Sequence, residues 1–577
     1  MEVPLDCLVI GYNDPPFSFH EHRILAQDEA FPERRVFMRE HLLVDGARMP
    51  CMDVVNHYAR TSQEAGPNPY YHVGEVPNLA AVYLANYLSK RSLSAEYISL
   101  FRPERDKIAD LLERRRPRVV AITTTFYLMP WPVHEICTYI RERSPDPVIV
   151  IGGPLVDNLC LDLDAESLAD LFSWMGGDVY VREPQGEAAL GEITERVRQG
   201  LDLSAVPNIY LPGPDGFRFT RRRPEANDLD ECAIDWSRFP AGDLGRTVQV
   251  RTARSCAFKC SFCDFPARAG ALNVASVEVV ERELRQLARQ GIRQLVFVDD
   301  TFNVPIGRFK ELCRMMIRND FQFEWFSFFR CSAARDEEIY DLMQRSGCRA
   351  VFLGIESGDV SVLKNMVKSS HIDHYRFGLE QLHKRGIETF ASFICGFPGE
   401  TLETVENTIR FIQETGPTFY RAELWYYNHR SPVHGERNQF GLTGKGYDWR
   451  HDTMDVHTAS DAADELFRKV TESVWMPGYN YDFWAVPYLL GKGMSMSGII
   501  RFHQAVSDLM RFNSGPPADR SERDLQERRF SDLAGLFTEL KLEPPRYQLA
   551  LPSEEKTHET VAADRVGGHQ PQRDRPS

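Results

Sequence analysis

The sequence predicts an α/β protein in three parts: an N-terminal doubly wound sheet, a partial six-unit (β/α) barrel, and a C-terminal, mainly helical region. Three observations predict it. The chain has 577 residues, which at roughly 100 to 200 residues per domain calls for several domains, and its 43% apolar content can supply a core for each. Short β-rich runs alternate with amphipathic stretches in two separate series. A polar, turn-rich segment divides the two series.

In the first series, CLVIGYN (7–13), AEYISLF (95–101), RVVAITTTF (118–126), PVIVIGGP (147–154) and DVYVRE (178–183) are apolar runs closed by turn residues. Such runs suit strands buried on both faces. NLAAVYLANYLSKR (78–91) and PVHEICTYIRERS (132–144) read as the helices between them. Residues 1–215 are therefore expected to form a Rossmann-like α/β layer, whose ligands gather at the carboxyl ends of the strands. That edge carries Thr123, Thr124, Thr125 and Phe126 after one strand and Gly152 and Gly153 after the next. Ordinary βα turns would look the same.

Residues 216–245 are rich in turn formers and charge, and read as a linker. The second series follows over 246–430, with strands near 248–255, 294–300, 324–330, 350–357, 389–397 and 421–428. Val277, Val280, Leu284 and Leu287 recur at helical steps, as do Val405, Ile409 and Ile412, and Gly291 and Gly416 stop those helices. Six βα units are too few to close an eight-fold barrel, so an open (β/α)6 barrel is expected, with its chemistry at the carboxyl ends of the strands. Residues 431–550 are aromatic-rich, with helical stretches around 459–474 and 497–512, and read as a helical cap. Residues 551–577 lack apolar periodicity and read as a disordered tail.

The charge sum, 68 minus 83, is −15, which opposes a general affinity for nucleic acid or anionic lipid. No stretch approaches the roughly 20 apolar residues of a membrane helix, and the start MEVPLDCLVIGYN lacks a secretory pattern, so the expected location is the cytoplasm. Twelve cysteines are too few for a disulfide framework.

Three of those cysteines fall within eight residues, in SCAFKCSFCDF after the first barrel strand. Cys256, Cys260 and Cys263 have C-x3-C-x2-C spacing, which lets three thiolates converge from one loop. A [4Fe–4S] cluster with three protein ligands and one open iron is the sharp expectation. A structural zinc is the alternative. It needs four ligands, no histidine lies between His134 and His371, and the nearest other cysteines are Cys232 and Cys313.

Together with FVDDTF (297–302), FLGIESG (352–358) and FICGFPGET (393–401), this loop resembles the radical S-adenosylmethionine superfamily. The resemblance implies that the open iron binds the amino and carboxylate groups of S-adenosylmethionine, which one electron splits to methionine and a 5′-deoxyadenosyl radical. It carries the three cysteines over as cluster ligands and Phe262 as the aromatic beside the adenine. It also implies S-adenosylmethionine contacts from Asp299 or Asp300, Arg330, Ser332, Glu356 and Ser357 at successive strand ends. A zwitterion with ribose hydroxyls needs those residue types. FVDDTF stands where the common pattern has Gly-Gly-Glu, so the ligand of the methionine amine is left open.

VAITTTF, IVIGGPLVDN and GGDVYVREPQGEAAL (176–190), in that order ahead of such a barrel, are similar to the cobalamin-dependent branch of the superfamily. The similarity implies that Thr123, Thr124, Thr125, Phe126, Gly152, Gly153 and Glu187 bind cobalamin. The D-x-H-x-x-G motif that supplies a histidine to cobalt elsewhere is absent, which implies base-off binding, with His134 and His72 as alternative ligands. Cobalamin with the radical cofactor implies that methylcobalamin and two S-adenosylmethionine molecules methylate an unactivated centre.

Within the branch, DCLVIGYNDPPF, YHVGEVPNLAAVYLANYL, RTARSCAFKCSFCDFP and DDTFNVPIGRFKELCRMMIRN are similar to the P-methyltransferases of phosphinothricin biosynthesis, which act on an H-phosphinate. The expected substrate is thus a small natural-product intermediate or peptide, methylated at phosphorus or carbon, in antibiotic biosynthesis. The expected partner is an external electron donor of flavodoxin or ferredoxin type, with neither nucleic acid nor membrane. Arg421, His429 and Arg430 are a candidate clamp for an anionic substrate. A radical cyclase or oxidoreductase that uses no cobalamin, and a zinc-stabilised binding protein, are the competing readings.

Overall fold

A computed structural model describes residues 3–62, 69–214, 216–479, 484–514 and 520–548. The tail expected at 551–577 lies outside them. The first sheet contains β1 (Cys7–Tyr12), β2 (Ala95–Leu100), β3 (Val119–Thr123), β4 (Val148–Gly152), β5 (Val179–Val181), β6 (Ile209–Gly213) and β7 (Gly216–Phe219). Their order across the sheet is β7-β6-β5-β4-β3-β1-β2. The first five run parallel, in the 2-1-3-4-5 order of flavodoxin-like sheets, so the topological switch point lies between β1 and β3. Val120, Ile122, Ile149 and Ile151 bury one face in a cluster of their own, while Val9, Val119 and Val150 join the core shared with the rest of the molecule. Strands Ile209–Gly213 and Gly216–Phe219, read from sequence partly as connector, pair antiparallel and extend this sheet.

The second sheet contains β8 (Thr247–Val250), β9 (Gln294–Phe297), β10 (Glu324–Phe328), β11 (Cys348–Glu356), β12 (Glu388–Cys395), β13 (Phe419–Leu424) and a short β14 (Val474–Trp475), all parallel and in chain order. An open barrel with helices outside results. Leu284 and Leu287 on helix Val277–Arg289, and Ile409 and Ile412 on helix Leu402–Thr415, are buried as their spacing predicts. Gly416 ends the second helix at φ +52, a left-handed conformation that glycine adopts without strain. Inward positions Phe352, Gly354, Ser392, Ile394, Arg421 and Glu423 are half-buried, while their outward neighbours Val351, Leu353, Ala391 and Phe393 are buried. The lumen is therefore open at the level of these residues.

The C-terminal region is more than a helical cap. Helix Ala485–Gly491 packs against β8 and β9, Thr247 Oγ1 donates to Pro487 O, and the Trp484 ring lies 5.0 Å from Phe328 on the inner face. It covers β8 and β9 from the C-terminal region. Helices Val456–Lys469 and Met496–Ser514 match the sequence reading; a third, Arg520–Glu539, and strand Val474–Trp475 do not feature in it.

The N-terminal layer also departs from expectation. Between β1 and β2 the chain leaves the sheet, and helices Pro32–Arg39 and Cys51–Ser62 pack against C-terminal helices, with Phe17–Leu25 against Pro32–Arg39. Arg35 pairs with Asp461 and Asp464, and Arg39 with Asp464. Residues 17–62 thus belong spatially with the cap, because their buried apolar side chains find partners there. No helix among the described residues is long and apolar enough to cross a membrane.

Candidate active site at the facing edges of two sheets

The carboxyl edges of the two sheets face each other, as the bonds between them show. Helix Pro154–Asp162 starts immediately after Gly153, and helix Phe265–Ala269 just after Cys263. Arg268 of the second reaches Asp157 of the first at 3.1 Å. Arg430, beyond β13, donates to Asn158 at 2.9 Å and pairs with Asp162. Arg254, beyond β8, donates to Gln185 at 2.8 Å and lies 3.5 Å from Glu187.

The cysteine loop occupies the mouth of the barrel. Cys260 is buried, and Cys256 and Cys263 are half-buried. Ser261 anchors the loop through its N–H to Met366 O at 2.9 Å and its hydroxyl to Asn365 O at 2.8 Å. Cys256 Sγ is 3.6 Å from Thr301 Oγ1. Burial pushes the Cys263 thiol up to about 11, and the nearby Cys260, Asp264 and Cys256 add to this. Among the described residues no three His, Cys, Asp or Glu side chains gather as the ligands of one ion. A zinc needs four ligands drawn together, whereas an iron–sulfur cube offers each thiolate a different iron. The donor set, three sulfurs on one loop with cations beside them, suits the cube.

Those cations are Arg330 and Lys368. Arg330 Nη1 donates to Cys260 Sγ at 3.9 Å, and its guanidinium lies 3.6 Å from the Phe258 ring centre. Ser332 accepts from Arg330 Nε at 3.1 Å, so this hydroxyl orients the arginine. Lys368 Nζ is 2.6 Å from Glu356 Oε1 and 5.5 Å from the Phe262 ring, which meets Phe397 edge-on. Glu356 has φ +73 at a register shift in β11, a bulge that turns the strand end. Burial pulls the Lys368 ammonium down, but Glu356 and Tyr375 hold it above its ordinary value.

Other predicted groups have different work. Asp299 accepts from Thr252 N (2.6 Å), Ala253 N (2.9 Å) and the Thr252 hydroxyl, and so pins the start of the cysteine loop. Burial raises its pKa against those hydrogen bonds. Asp300, just beyond β9, is exposed; partial desolvation raises its carboxyl to about 6, and Asp299 adds to this. Ser357 is fully buried and accepts from Asp359 N at 3.1 Å, beside Thr408, so it caps a turn.

At the first sheet, Phe126 is 54% and Leu128 93% exposed, an apolar pair at the carboxyl end of β3. Tyr12, at the end of β1, meets Phe126 edge-on at 6.1 Å. Gly153 has φ +113, and a Cβ there would come within 2.9 Å of Thr124 Oγ1. The carboxyl edge of β1 and β3 thus presents an apolar floor beside the Gly152–Gly153 turn, which packs closely on Thr124, and such a floor suits a broad ligand such as a corrin. Thr123 and Thr125 share a hydroxyl contact of 3.1 Å. Thr124 is corrected: its hydroxyl donates to Gly152 O and accepts from Leu155 N, and it has no exposed surface. Glu187 is corrected too. It is 3% exposed, accepts from Asn227 Nδ2, and faces Arg254 and Arg251, so it locks the two domains together.

Of the two histidine alternatives, His72 has both ring nitrogens engaged, whereas His134 engages only Nδ1. His72 Nδ1 accepts from Gly74 N at 2.9 Å, which leaves Nε2 to donate to Asp14 at 3.0 Å. His134 Nδ1 contacts Trp174 O at 2.6 Å, with its ring stacked on that indole. The anion clamp does not assemble either. Arg421 pairs with Glu423, with Glu40 beside them; His429 contacts Gly444 O; Arg430 serves the domain interface. Glu40 comes from the 17–62 excursion and accepts from Gly478 N; burial lifts its carboxyl to about 7. Sequence reasoning missed Glu40, Lys368 and Phe258. Lys368 sits in a polar stretch, KNMVKSS, that reads as surface.

Residues 250–412 match the radical SAM superfamily and residues 72–170 the B12 binding domain. The chain is 26% identical over 390 residues to an uncharacterized methyltransferase of Pyrococcus horikoshii, covering 64% of this chain and 81% of that protein. It is 26% identical over 354 residues to the cytidylyl-2-hydroxyethylphosphonate methyltransferase of Streptomyces wedmorensis, covering 54% and 65%. In fold it is similar to the radical S-adenosylmethionine methyltransferase TsrM of Kitasatospora setae, solved with cobalamin and a [4Fe–4S] cluster, at TM-score 0.58 and 17% identity over 88% of this chain and 99% of that one. The chain thus carries a B12 binding domain ahead of a radical SAM domain, and it is similar to radical S-adenosylmethionine methyltransferases. Its cofactors are a [4Fe–4S] cluster, S-adenosylmethionine and cobalamin.

Proposed function

We propose that the chain methylates an unactivated centre of a small natural-product intermediate, phosphorus of an H-phosphinate or carbon, in the cleft between the two sheets. The observation that carries this is the opposition of the cysteine loop to the Phe126–Gly153 edge, held by Arg268–Asp157 and Arg430–Asn158. When bound, the cluster and S-adenosylmethionine supply hydrogen abstraction and methylcobalamin supplies the methyl group.

The chain's own residues hold and orient these groups. Cys256, Cys260 and Cys263 ligate the cluster. Phe262, with Phe397 behind it, walls the adenine. Glu356 and Lys368 face the polar groups of S-adenosylmethionine, and Asp300 offers an acceptor at the mouth. Thr123, Thr125, Phe126, Gly152 and Gly153 line the corrin side. An acidic flavodoxin or ferredoxin is the proposed reductant.

The phosphonate methyltransferase among the relatives supports a phosphorus-containing substrate. Carbon methylation is the second reading. It is favoured by the pairing of Arg421 with Glu423, which engages a guanidinium that the candidate clamp would need. The test is anaerobic incubation with methylcobalamin, S-adenosylmethionine and an H-phosphinate, followed by phosphorus NMR. A new carbon–phosphorus bond establishes the first reading. Methylated carbon in its place establishes the second, and protein that takes up neither iron nor corrinoid overturns both.

A further inference from the structure

We propose that Arg330 sets the reduction potential of the cluster through its hydrogen bond to Cys260. This rests on the reading that the cysteine loop holds the cluster. Arg330 follows β10 and is 8% exposed. Its main-chain N–H donates to Asn303 Oδ1 and its carbonyl accepts from Asn303 Nδ2, both at 2.9 Å. Nε donates to Ser332, the guanidinium stacks on Phe258, and Nη1 donates to Cys260 Sγ. Nη2 is buried without a partner.

Every one of those attachments is neutral on the protein side. Among the described residues no carboxylate pairs with Arg330, whereas the neighbouring cation, Lys368, has Glu356 at 2.6 Å. A buried cation without a counter-anion costs several kcal/mol, so the fold keeps Arg330 in place for an anion that arrives with a ligand. Three thiolates on an iron–sulfur cube bring that negative charge, and one-electron reduction adds more. A donor and a positive charge on one ligating sulfur stabilise the reduced cluster more than the oxidised one, and so raise its potential.

The geometry separates this role from recognition of the S-adenosylmethionine carboxylate. An arginine that grips a carboxylate presents two parallel N–H groups as a fork. Here one arm, Nη1, is turned to sulfur and Nε to Ser332, which leaves Nη2 alone.

The experiment is a redox titration of the anaerobically reconstituted full chain, read by EPR of the reduced cluster without S-adenosylmethionine, for wild type, R330Q, R330K and S332A. R330Q is expected to lower the reduced-to-oxidised ratio at fixed potential about tenfold, which is about 59 mV for a one-electron couple. R330K and S332A are expected to shift it the same way by less, and they carry the test if R330Q holds no cluster. Unchanged potentials in variants that keep their iron overturn the proposal. So does a loss confined to the EPR change on adding S-adenosylmethionine, which would make Arg330 a carboxylate ligand. Wild-type protein without iron overturns the underlying reading instead.

Discussion

Lys368 Nζ lies 2.6 Å from Glu356 Oε1, with side-chain exposures of only 7% and 10%. The pair couples the end of β11 to the segment that carries the cysteine loop, since Met366, two residues earlier, accepts from Ser261 N–H. Changing Lys368 to Met leaves a buried carboxylate unpaired, and is expected to destabilise the barrel by about 3 to 5 kcal/mol. The double variant K368M/E356Q should recover most of that loss. Anaerobic urea unfolding measures both, and additive losses would show that the two residues are not energetically coupled.

Iron content is the direct check on the loop. Wild-type protein purified without oxygen should hold about four irons per chain as a cubane. Changing Cys256, Cys260 and Cys263 to alanine should abolish iron and the visible band while leaving corrinoid uptake intact, because the corrin edge belongs to the other sheet. One zinc per chain in place of iron would contradict this.

Gly153 separates the two cofactors from the other side. Its φ of +113 and the 2.9 Å approach of a Cβ to Thr124 Oγ1 make alanine strained there. The turn relieves a strain of roughly 1 to 2 kcal/mol by shifting, which moves the corrin edge and is expected to weaken corrinoid binding. Equilibrium titration of G153A with hydroxocobalamin should show that loss at unchanged iron content.

His72 has both ring nitrogens committed, whereas His134 commits only Nδ1, to Trp174 O. The EPR spectrum of the Co(II) form should therefore lack coupling to His72, and H72A should leave it unaltered. Nitrogen splitting that disappears in H72A would overturn this, whereas splitting lost in H134A would identify His134 Nε2 as the ligand.

Glu400, in the FPGE turn after β12, is 1% exposed and accepts from Gly396 N. Burial pushes its carboxyl from about 4.5 up to about 8, and Asp359 adds to this. Between those values the unfolded chain has lost the proton that the native chain keeps. Stability is thus full below about 4.5, falls by up to ~1.4 kcal/mol per pH unit as pH rises, and levels off above about 8. E400Q removes this contribution, so its urea midpoint should gain on wild type between pH 5 and pH 8. Parallel pH profiles would show that Glu400 is ionised in the native state.

Much of the fold was legible because its signals are local. The strands at 7–12, 95–100, 119–123 and 148–152 are short apolar runs, and the barrel helices repeat their apolar residues at helical steps. The excursion over 17–62 carries no such mark. Its helices resemble any crossover, and only the burial of Phe37, Val54 and Val55 among C-terminal helices shows where they pack. Within the site, Cys256, Cys260, Cys263 and Phe262 could be read from one loop. Thr124, Glu187, Asp299 and Ser357 lie where a strand-end rule places ligands, but their polar atoms are taken by neighbours that the rule does not see.

The amino-acid sequence by itself determined the two βα series and the three-sulfur loop, because hydrophobic period and cysteine spacing are properties of neighbouring residues. Only the tertiary structure decided which carboxylates stay available and which cations stand alone. Glu187 meets Arg254 across 67 residues and Arg330 meets Cys260 across 70. Such pairings follow from how two sheets and their helices pack, since a side chain's partner depends on where another element's surface arrives rather than on its own place in a pattern.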